Sequence, residues 1–511
     1  MSGSARYWSD APALVCGDRS WTFTELDRAT DRLVSALAAR GLRPGDAVAS
    51  LAWNRGELVE VEFGLYKAGL TRAPVNARLG RGEIEHILRY APVRALVFDA
   101  SHREDALAAI TSAGTGCLPV PLGPGAEDGV PYDALLAEGT RIPFRVEVDE
   151  SQPCVLNFTS GSTGALKAAV QRAGNRLANM RKLLMADESR PRPGTRYPAC
   201  GPITHATGMG LLAGVFGGFA TYVLPAWSPE DLLETVEKER ITATFLVPAM
   251  VNMLLAHPGA DRYDLSSLTS VRVGGAPISS QRLCDAVEFF GPVVAQGYGL
   301  GETTNVVAAL SSEEIARAVT ETRSCSSPAG VPPTTPRYAS RTRRAGSWDP
   351  VKSGRSSCAC PTVCASTGRN PSCPQRPSVT AGCTRGNLAW MREDGCLFLV
   401  DRKKDMIISG GFNVYCTEVE TVLHEHPAVR EVCVVGVPDE RWGEAVKAVV
   451  VRRPDTTVTA EDLIAFCADR LDRLKVAGSS VSCWPFRSPA CSRSSSGTCG
   501  TVAGVGCAGR R

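Results

Sequence analysis

Along residues 13–300 the apolar positions switch repeatedly between helical spacing and short unbroken runs. "TFTELDRATDRLVSALAARG" has the helical period. Leu26, Leu33, Val34 and Leu37 share one face, Thr24 with Asp27 three residues on offers a cap, and Gly41 closes the pattern. "DAVASLAW" then reads as a strand and "VEVEFGLYKAG" as a second helix. "RALVFDA", "PCVLNFT", "TATFLVP", "SVRVGG" and "VVAQGYG" are short apolar or β-branched runs bounded by turn residues, with helical patterns between several of them. The alternation predicts an α/β architecture with mostly parallel strands, in which ligands bind at the carboxyl ends of the strands.

Two stretches break this pattern. Residues 322–386 contain no Leu, Ile, Met or Phe, and carry ten Lys/Arg against one acid, Asp349. Such a segment buries too little apolar surface to offset a backbone ordering cost of ~1–2 kcal/mol per residue, so disorder is expected there. Ordinary sequence resumes at "NLAWMREDGCLFLVDRKKD", and a small α/β unit follows: helix "TEVETVLHEH", strands "VREVCVVGVP" and "AVKAVVVRR", helix "AEDLIAFCADRLDRL". After Val476 the pattern fails again. The uncharged run "MGLLAGVFGGFATYVLPAW" is nearly long enough for a bilayer. Gly217-Gly218 splits it, and it reads as a buried helix, turn and strand.

Composition narrows the class. A chain of 511 residues is expected to form about two to four domains. With 44% hydrophobic and 21% charged residues and a net charge of +3, it is globular and gives no footprint of a nucleic-acid or membrane partner. "MSGSARYWSD" lacks the basic and apolar regions of a signal peptide. Of 19 cysteines, ten crowd into the two anomalous stretches and the rest are scattered singly, as in a reduced cytoplasmic enzyme.

The chemistry sits in the loops. "FTSGSTGALKAAV" follows the strand "CVLNF": Gly161 and Gly164 let backbone N–H groups approach phosphate oxygens, Thr159, Ser160, Ser162 and Thr163 add hydroxyl donors, and Lys167 adds charge. It is not a Walker A loop, because no Gly-Lys-Ser/Thr follows; by itself it also reads as a Ser/Gly linker. Four further motifs accompany it: "PITHATGMG" at 202–210, "VGGAPIS" at 273–279, "QGYGLGETT" at 296–304 and "VDRKKDMIISGGFNVYCTEVE" at 400–420.

In this order and spacing the motifs closely resemble the adenylate-forming superfamily of acyl-CoA synthetases, peptide-synthetase adenylation domains and beetle luciferases, over residues 12–476 apart from the anomalous middle. The resemblance implies a large multi-sheet N-terminal AMP-binding domain (1–400), a small mobile α+β C-terminal domain (401–476) and an anomalous tail (477–511). It implies ATP, Mg²⁺ and coenzyme A acting on a small-molecule carboxylic acid, fatty or otherwise apolar, with an aryl acid as the nearest alternative. By resemblance, Thr159–Lys167 hold the β- and γ-phosphates. Gly275, Ala276 and Pro277 line the adenine and acyl pocket, Gln296, Gly297, Tyr298 and Gly299 frame the adenine with Tyr298 stacking, and Glu302 binds Mg²⁺. His205 stands where acyl- and aryl-CoA ligases carry a His, and where amino-acid-activating relatives carry an Asp. Arg402 contacts the nucleotide and Lys404 is the pivot of domain rotation; Gly410 and Gly411 lie beside the pantetheine tunnel, and Asn413 contacts AMP.

The chain departs from the family at four points. Gly301 replaces a Thr before the metal-binding Glu, Cys416 a Pro, and Asn387 the Asp that binds the ribose hydroxyls, which removes charge assistance from that contact. "RSPA" leads into the place of a C-terminal Gly-Lys, but "CSRSSSGTCG" follows, and no Lys occurs after Lys475. Translation of 322–386 and of the tail out of frame accounts for their Arg, Ser, Pro, Cys and Gly; genuine basic, Cys-rich insertions are the alternative. Losing one positioned cationic donor costs ~10²–10³ in rate, so poor adenylation is expected, and a nucleotide-binding protein without turnover is the rival class.

Overall fold

The computed structural model describes residues 1–91, 93–123, 128–140, 146–160, 166–185, 192–276, 278–324, 337–339, 357–358, 383–384, 387–391, 396–402, 407–409, 412–439, 443–453, 456–468, 470–471 and 480–484. The first predicted helix is Phe23–Ala39, with Leu26, Leu33, Val34 and Leu37 all buried. Its cap is Thr22 and not Thr24. The Thr22 hydroxyl accepts from the Glu25 N–H at 3.2 Å, and the Glu25 carboxylate accepts from the Thr22 N–H at 2.8 Å. Asp27 is engaged elsewhere, by the Lys67 ammonium at 2.7 Å and the Ser2 hydroxyl at 3.2 Å. The second helix, Gly56–Ala68, is covered on nearly every side, Glu60 and Glu62 included.

A six-stranded sheet runs in the order Leu118–Leu122, Val93–Asp99, Ala47–Leu51, Thr71–Val75, Pro153–Ser160, Leu166–Arg172. All its pairings are parallel except the last. A four-stranded sheet follows the order Ala243–Leu246, Ser270–Gly274, Val294–Leu300, Asn305–Leu310, again parallel up to an antiparallel final strand. A third sheet joins Arg19–Thr22, Pro12–Cys16, Ala220–Val223 and Arg196–Ala199. The mostly parallel α/β layout expected from the sequence is thus present, with separate apolar cores around the sheets. The 209–227 run is helix Leu211–Gly217, a left-handed Gly218 at φ +77°, and strand Ala220–Val223. Among the described residues no helix is long and apolar enough to cross a membrane.

The small unit has helices Cys416–His424 and Ala460–Ala468 on a sheet dominated by the Val429–Asp439 and Gly443–Arg452 hairpin, with its own core. One strand lies where no pattern was expected: Ser480–Trp484 pairs in parallel with Gly443–Arg452. Backbone pairing along an existing edge does not require the Leu and Ile that segment lacks. Within 322–386 the structure shows strands Arg337–Ala339, Ser357–Cys358 and Cys383–Thr384, the first on Cys396–Arg402. The rest of the expected disorder, from 325 on, lies outside the described residues.

Candidate active site

The loops that carry the motifs leave the carboxyl ends of strands. Strands Pro153–Ser160 and Leu166–Arg172 form an antiparallel hairpin that sets Lys167 opposite Thr159 and Leu166 opposite Ser160. Lys167 is half-buried. Gly161, Ser162, Thr163 and Gly164, between the two strands, lie outside the described residues.

Glu302 sits, half-buried, on a single turn of 3₁₀ helix, Gly301–Thr303, that leaves the Val294–Leu300 strand. The Thr303 hydroxyl closes this turn by accepting from the Leu300 N–H at 3.0 Å and donating to the Leu300 carbonyl at 2.9 Å. The next residue, Thr304, is left-handed at φ +57° and fully buried. Both strands of the hairpin pack against this turn. Gln171, four residues beyond Lys167 and fully buried, donates from Nε2 to the Gly301 carbonyl at 2.9 Å. The strand bearing the candidate phosphate cation and the turn bearing the candidate metal ligand are therefore fastened side by side.

The glycine strip follows from sterics. A Cβ on Gly274 would stand 2.6 Å from the Gly297 carbonyl oxygen, so the two strands approach here only without a side chain. Gly275 has φ +87°, the left-handed region, and with Ala276 it is exposed at the strand end; Pro277 lies outside the described residues. On the neighbouring strand Gln296 and Gly297 are buried while Tyr298 and Gly299 are half-buried. The bare peptide edge, with Tyr298 at its rim, fits a planar base.

His205 precedes the short Ala206–Met209 helix, and its Nδ1 meets the Thr204 hydroxyl at 3.1 Å. Its ring is exposed by accessible area yet closely surrounded by protein. Desolvation, then the charges of Arg72 and Arg78, hold its imidazole below the ordinary value, so it stands neutral near pH 7. Asn387 and Arg402 are direct antiparallel partners on strands Asn387–Met391 and Cys396–Arg402, which brings two predicted nucleotide residues together. Asn413 is on strand Phe412–Val414, opposite Ile408. Lys404, Gly410 and Gly411 lie outside the described residues. A recess of about 850 Å³ lined by Tyr263, Arg282, His424 and Arg453 holds none of the predicted residues.

Sequence reasoning did not single out Gln171, Asn54 or Arg72. Gln171 carried a signal, a polar residue inside the apolar strand "LKAAVQR"; the partners of all three are remote in sequence.

The profile of the AMP-binding enzyme family matches residues 2–336, and that of the AMP-binding enzyme C-terminal domain matches residues 418–483. The chain belongs to this family, within the adenylate-forming superfamily. It is 34% identical over 481 residues to a feruloyl-CoA synthase of Amycolatopsis, covering 92% of each chain. It is 32% identical over 464 residues to a medium/long-chain-fatty-acid–CoA ligase of Mycobacterium tuberculosis, covering 89% of this chain and 79% of the relative. Its fold superposes on the amide bond synthetase from Marinactinospora thermotolerans with a TM-score of 0.79 at 27% identity, covering 94% of this chain and 95% of the other.

Proposed function

We propose that this AMP-forming acid–thiol ligase joins a carboxylic acid of apolar, aryl or fatty, body to coenzyme A, using ATP and Mg²⁺. An aryl acid is placed first, because the feruloyl-CoA synthase matches more of both chains than the fatty-acid ligase does. In the first step a carboxylate oxygen attacks the α-phosphorus of ATP, and the bond to pyrophosphate breaks. In the second a thiolate attacks the acyl carbonyl, and AMP leaves. The residues fit these groups: Lys167 and the 159–164 hydroxyls suit a polyphosphate, the Glu302 carboxylate suits a hard cation, and Gly275 and Gly297 leave a bare cradle for a base. When bound, Mg²⁺ supplies charge neutralisation at the phosphates. His205, neutral, borders the acid. Asn387, Arg402 and Asn413 are assigned to nucleotide binding, Lys404 to the hinge, and Gly410 and Gly411 to the pantetheine site. The observation that supports this reading is the Gln171–Gly301 hydrogen bond, which fastens the strand that carries Lys167 to the turn that carries Glu302.

Turnover is a separate matter. The tail offers no lysine for the carboxylate and α-phosphate, so adenylation is slow while transfer from a supplied acyl-adenylate persists. Both anomalous stretches fit an out-of-frame reading, which a clean resequencing of the gene encoding the same segments would exclude. The second profile match ends at residue 483, and Ser480–Trp484 is a paired strand, so the tail's departure begins nearer 484 than 477. Pyrophosphate release with ferulate, benzoate and fatty acids, beside single-turnover thioester formation from feruloyl-adenylate, tests the proposal. Slow release with retained transfer is expected; equal loss of both steps refutes the split.

A further inference from the structure

Side chains from the six-stranded sheet and its strand ends grip the backbone of the loop that leads to His205. Asn54, just past the end of strand Ala47–Leu51, donates from Nδ2 to the carbonyls of Gly201 at 2.7 Å, Ala199 at 3.1 Å and Leu224 at 3.1 Å. Its Oδ1 accepts from the Ile203 N–H at 2.9 Å. The Ile203 carbonyl in turn accepts from the Arg72 guanidinium at 3.1 Å. Both polar groups of Ile203, two residues before His205, are thus held by side chains more than a hundred residues away in sequence.

The grip is rigid for a physical reason. Arg72 is itself fixed by the buried Glu62 carboxylate at 3.3 Å, which also accepts from the Tyr66 hydroxyl at 3.0 Å and faces Arg176 at 3.8 Å. Ion pairs this deep lose much if any member moves. Upstream of Asn54, the Asp99 carboxylate accepts from the Trp53 N–H at 2.9 Å. Downstream, Gly208 lies so close under the turn that a Cβ there would overlap the Ile203 carbonyl oxygen.

We infer that Asn54 and Arg72 are positioning residues for the acid half of the site: they set where His205 stands and so tune acyl recognition without touching nucleotide recognition. The inference rests on the reading that His205 borders the acid. Among the described residues the nucleotide loops share none of these hydrogen bonds; Arg72 stands beside Val155 on the strand that leads to the 161–164 loop, so Asn54 is the residue that separates the two halves.

The test is calorimetric binding of two probes to the full chain, a feruloyl-sulfamoyl adenosine standing in for the acyl-adenylate, and AMP alone. Asn54→Ala removes two hydrogen bonds to the loop, at Gly201 and Ile203, and those to Ala199 and Leu224 beside it, and the misplacement is expected to weaken the acyl probe about tenfold, equivalent to ~1.4 kcal/mol. AMP affinity stays within about twofold, an effect below ~0.5 kcal/mol. Asn54→Asp keeps the acceptor for the Ile203 N–H but sets a carboxylate oxygen against the Gly201, Ala199 and Leu224 carbonyls, so it is expected to weaken the acyl probe at least as much as Asn54→Ala. Should Asn54→Ala not fold, Arg72→Lys, which keeps the charge and loses the fork, is put through the same two titrations. Equal weakening of both probes overturns the inference, as does an unchanged acyl probe when His205→Ala weakens it. If His205→Ala itself leaves the acyl probe unaffected, the underlying reading of His205 falls instead.

Discussion

Replacing Gln171 by Leu isolates the link between the phosphate hairpin and the Glu302 turn. The two side chains are close in volume, and the site is fully buried, so packing is largely kept. The substitution deletes the 2.9 Å bond from Nε2 to the Gly301 carbonyl, a net loss of about 1 kcal/mol, and withdraws that donor from a carbonyl beside the turn. It also removes Oε1, which has no hydrogen-bond partner, and this offsets part of the cost. Global stability should therefore fall by only about 1 kcal/mol, a shift of roughly 2–4 °C in Tm on the scale of a large domain. The functional effect is sharper on the proposed reading, in which the Glu302 carboxylate would hold a metal beside phosphates on the neighbouring hairpin. If most of the lost bond energy is felt as misplacement of that carboxylate, Mg·ATP affinity drops about three- to fivefold. Calorimetric titration with ATP in the presence and absence of Mg²⁺ separates the terms: the magnesium-dependent part should shrink and metal-free binding should hold. Undiminished Mg·ATP binding, with a melting temperature within a degree or so of the parent, would refute the coupling.

Two further outcomes follow from local geometry. Gly275→Ala places a Cβ on a residue at φ +87°, 3.3 Å from Val247 Cγ1; the left-handed backbone costs ~1–2 kcal/mol. A lower urea midpoint and weaker AMP binding are both expected. Asp99 is buried, and against the desolvation that would raise its pKa, hydrogen bonds from His102, Ser101 and the Trp53 N–H bring it from 3.8 to about 2. Its folded pKa is depressed, so its contribution of about 2 kcal/mol is present above pH 4 and is lost as pH falls toward 2. His102 has the opposite sign. Asp99 raises its pKa, and the stability this adds is complete below the ordinary His value and is lost as pH rises through the raised one. Urea unfolding at intervals from pH 2.5 to 9 should show both losses, and Asp99→Asn should flatten both.

Much of the fold was legible because its signals are local. Leu26, Leu33, Val34 and Leu37 define a helix face whatever lies opposite, and Gly218 splits an apolar run because only a left-handed residue ends the helix there. The nucleotide loops were legible for a related reason: Gly274 and Gly275 are demanded by the close Gly297 strand and a positive φ, which leave a mark in the sequence itself. Choices settled by tertiary partners were not legible. Thr22 and Thr24 each have an acid three residues on, and Lys67, far along the chain, takes Asp27 and leaves Glu25 to complete the cap. Gln171 was visible as an oddity, but nothing local names Gly301 as its partner. Ser480–Trp484 was invisible because an edge-pairing strand needs few of the side chains by which buried strands are recognised.

The proposed separation of binding from turnover rests on the division of the described cores as well as on the tail. The three apolar cores beneath the candidate loops draw their buried residues from positions before 300, and the small unit draws its own from 407 onward. The hairpin with Lys167, the turn with Glu302 and the His205 loop have hydrogen-bonded supports before residue 311, and strand Arg337–Ala339 of the anomalous segment packs on Val294–Leu300 and Asn305–Leu310. Catalysis asks for more, since the acid and the α-phosphate must be brought together by a cation from the far end of the chain. On the proposed reading the chain retains ligand affinity, which scales with the loops. It loses rate, which scales with stabilisation made only in the transition state.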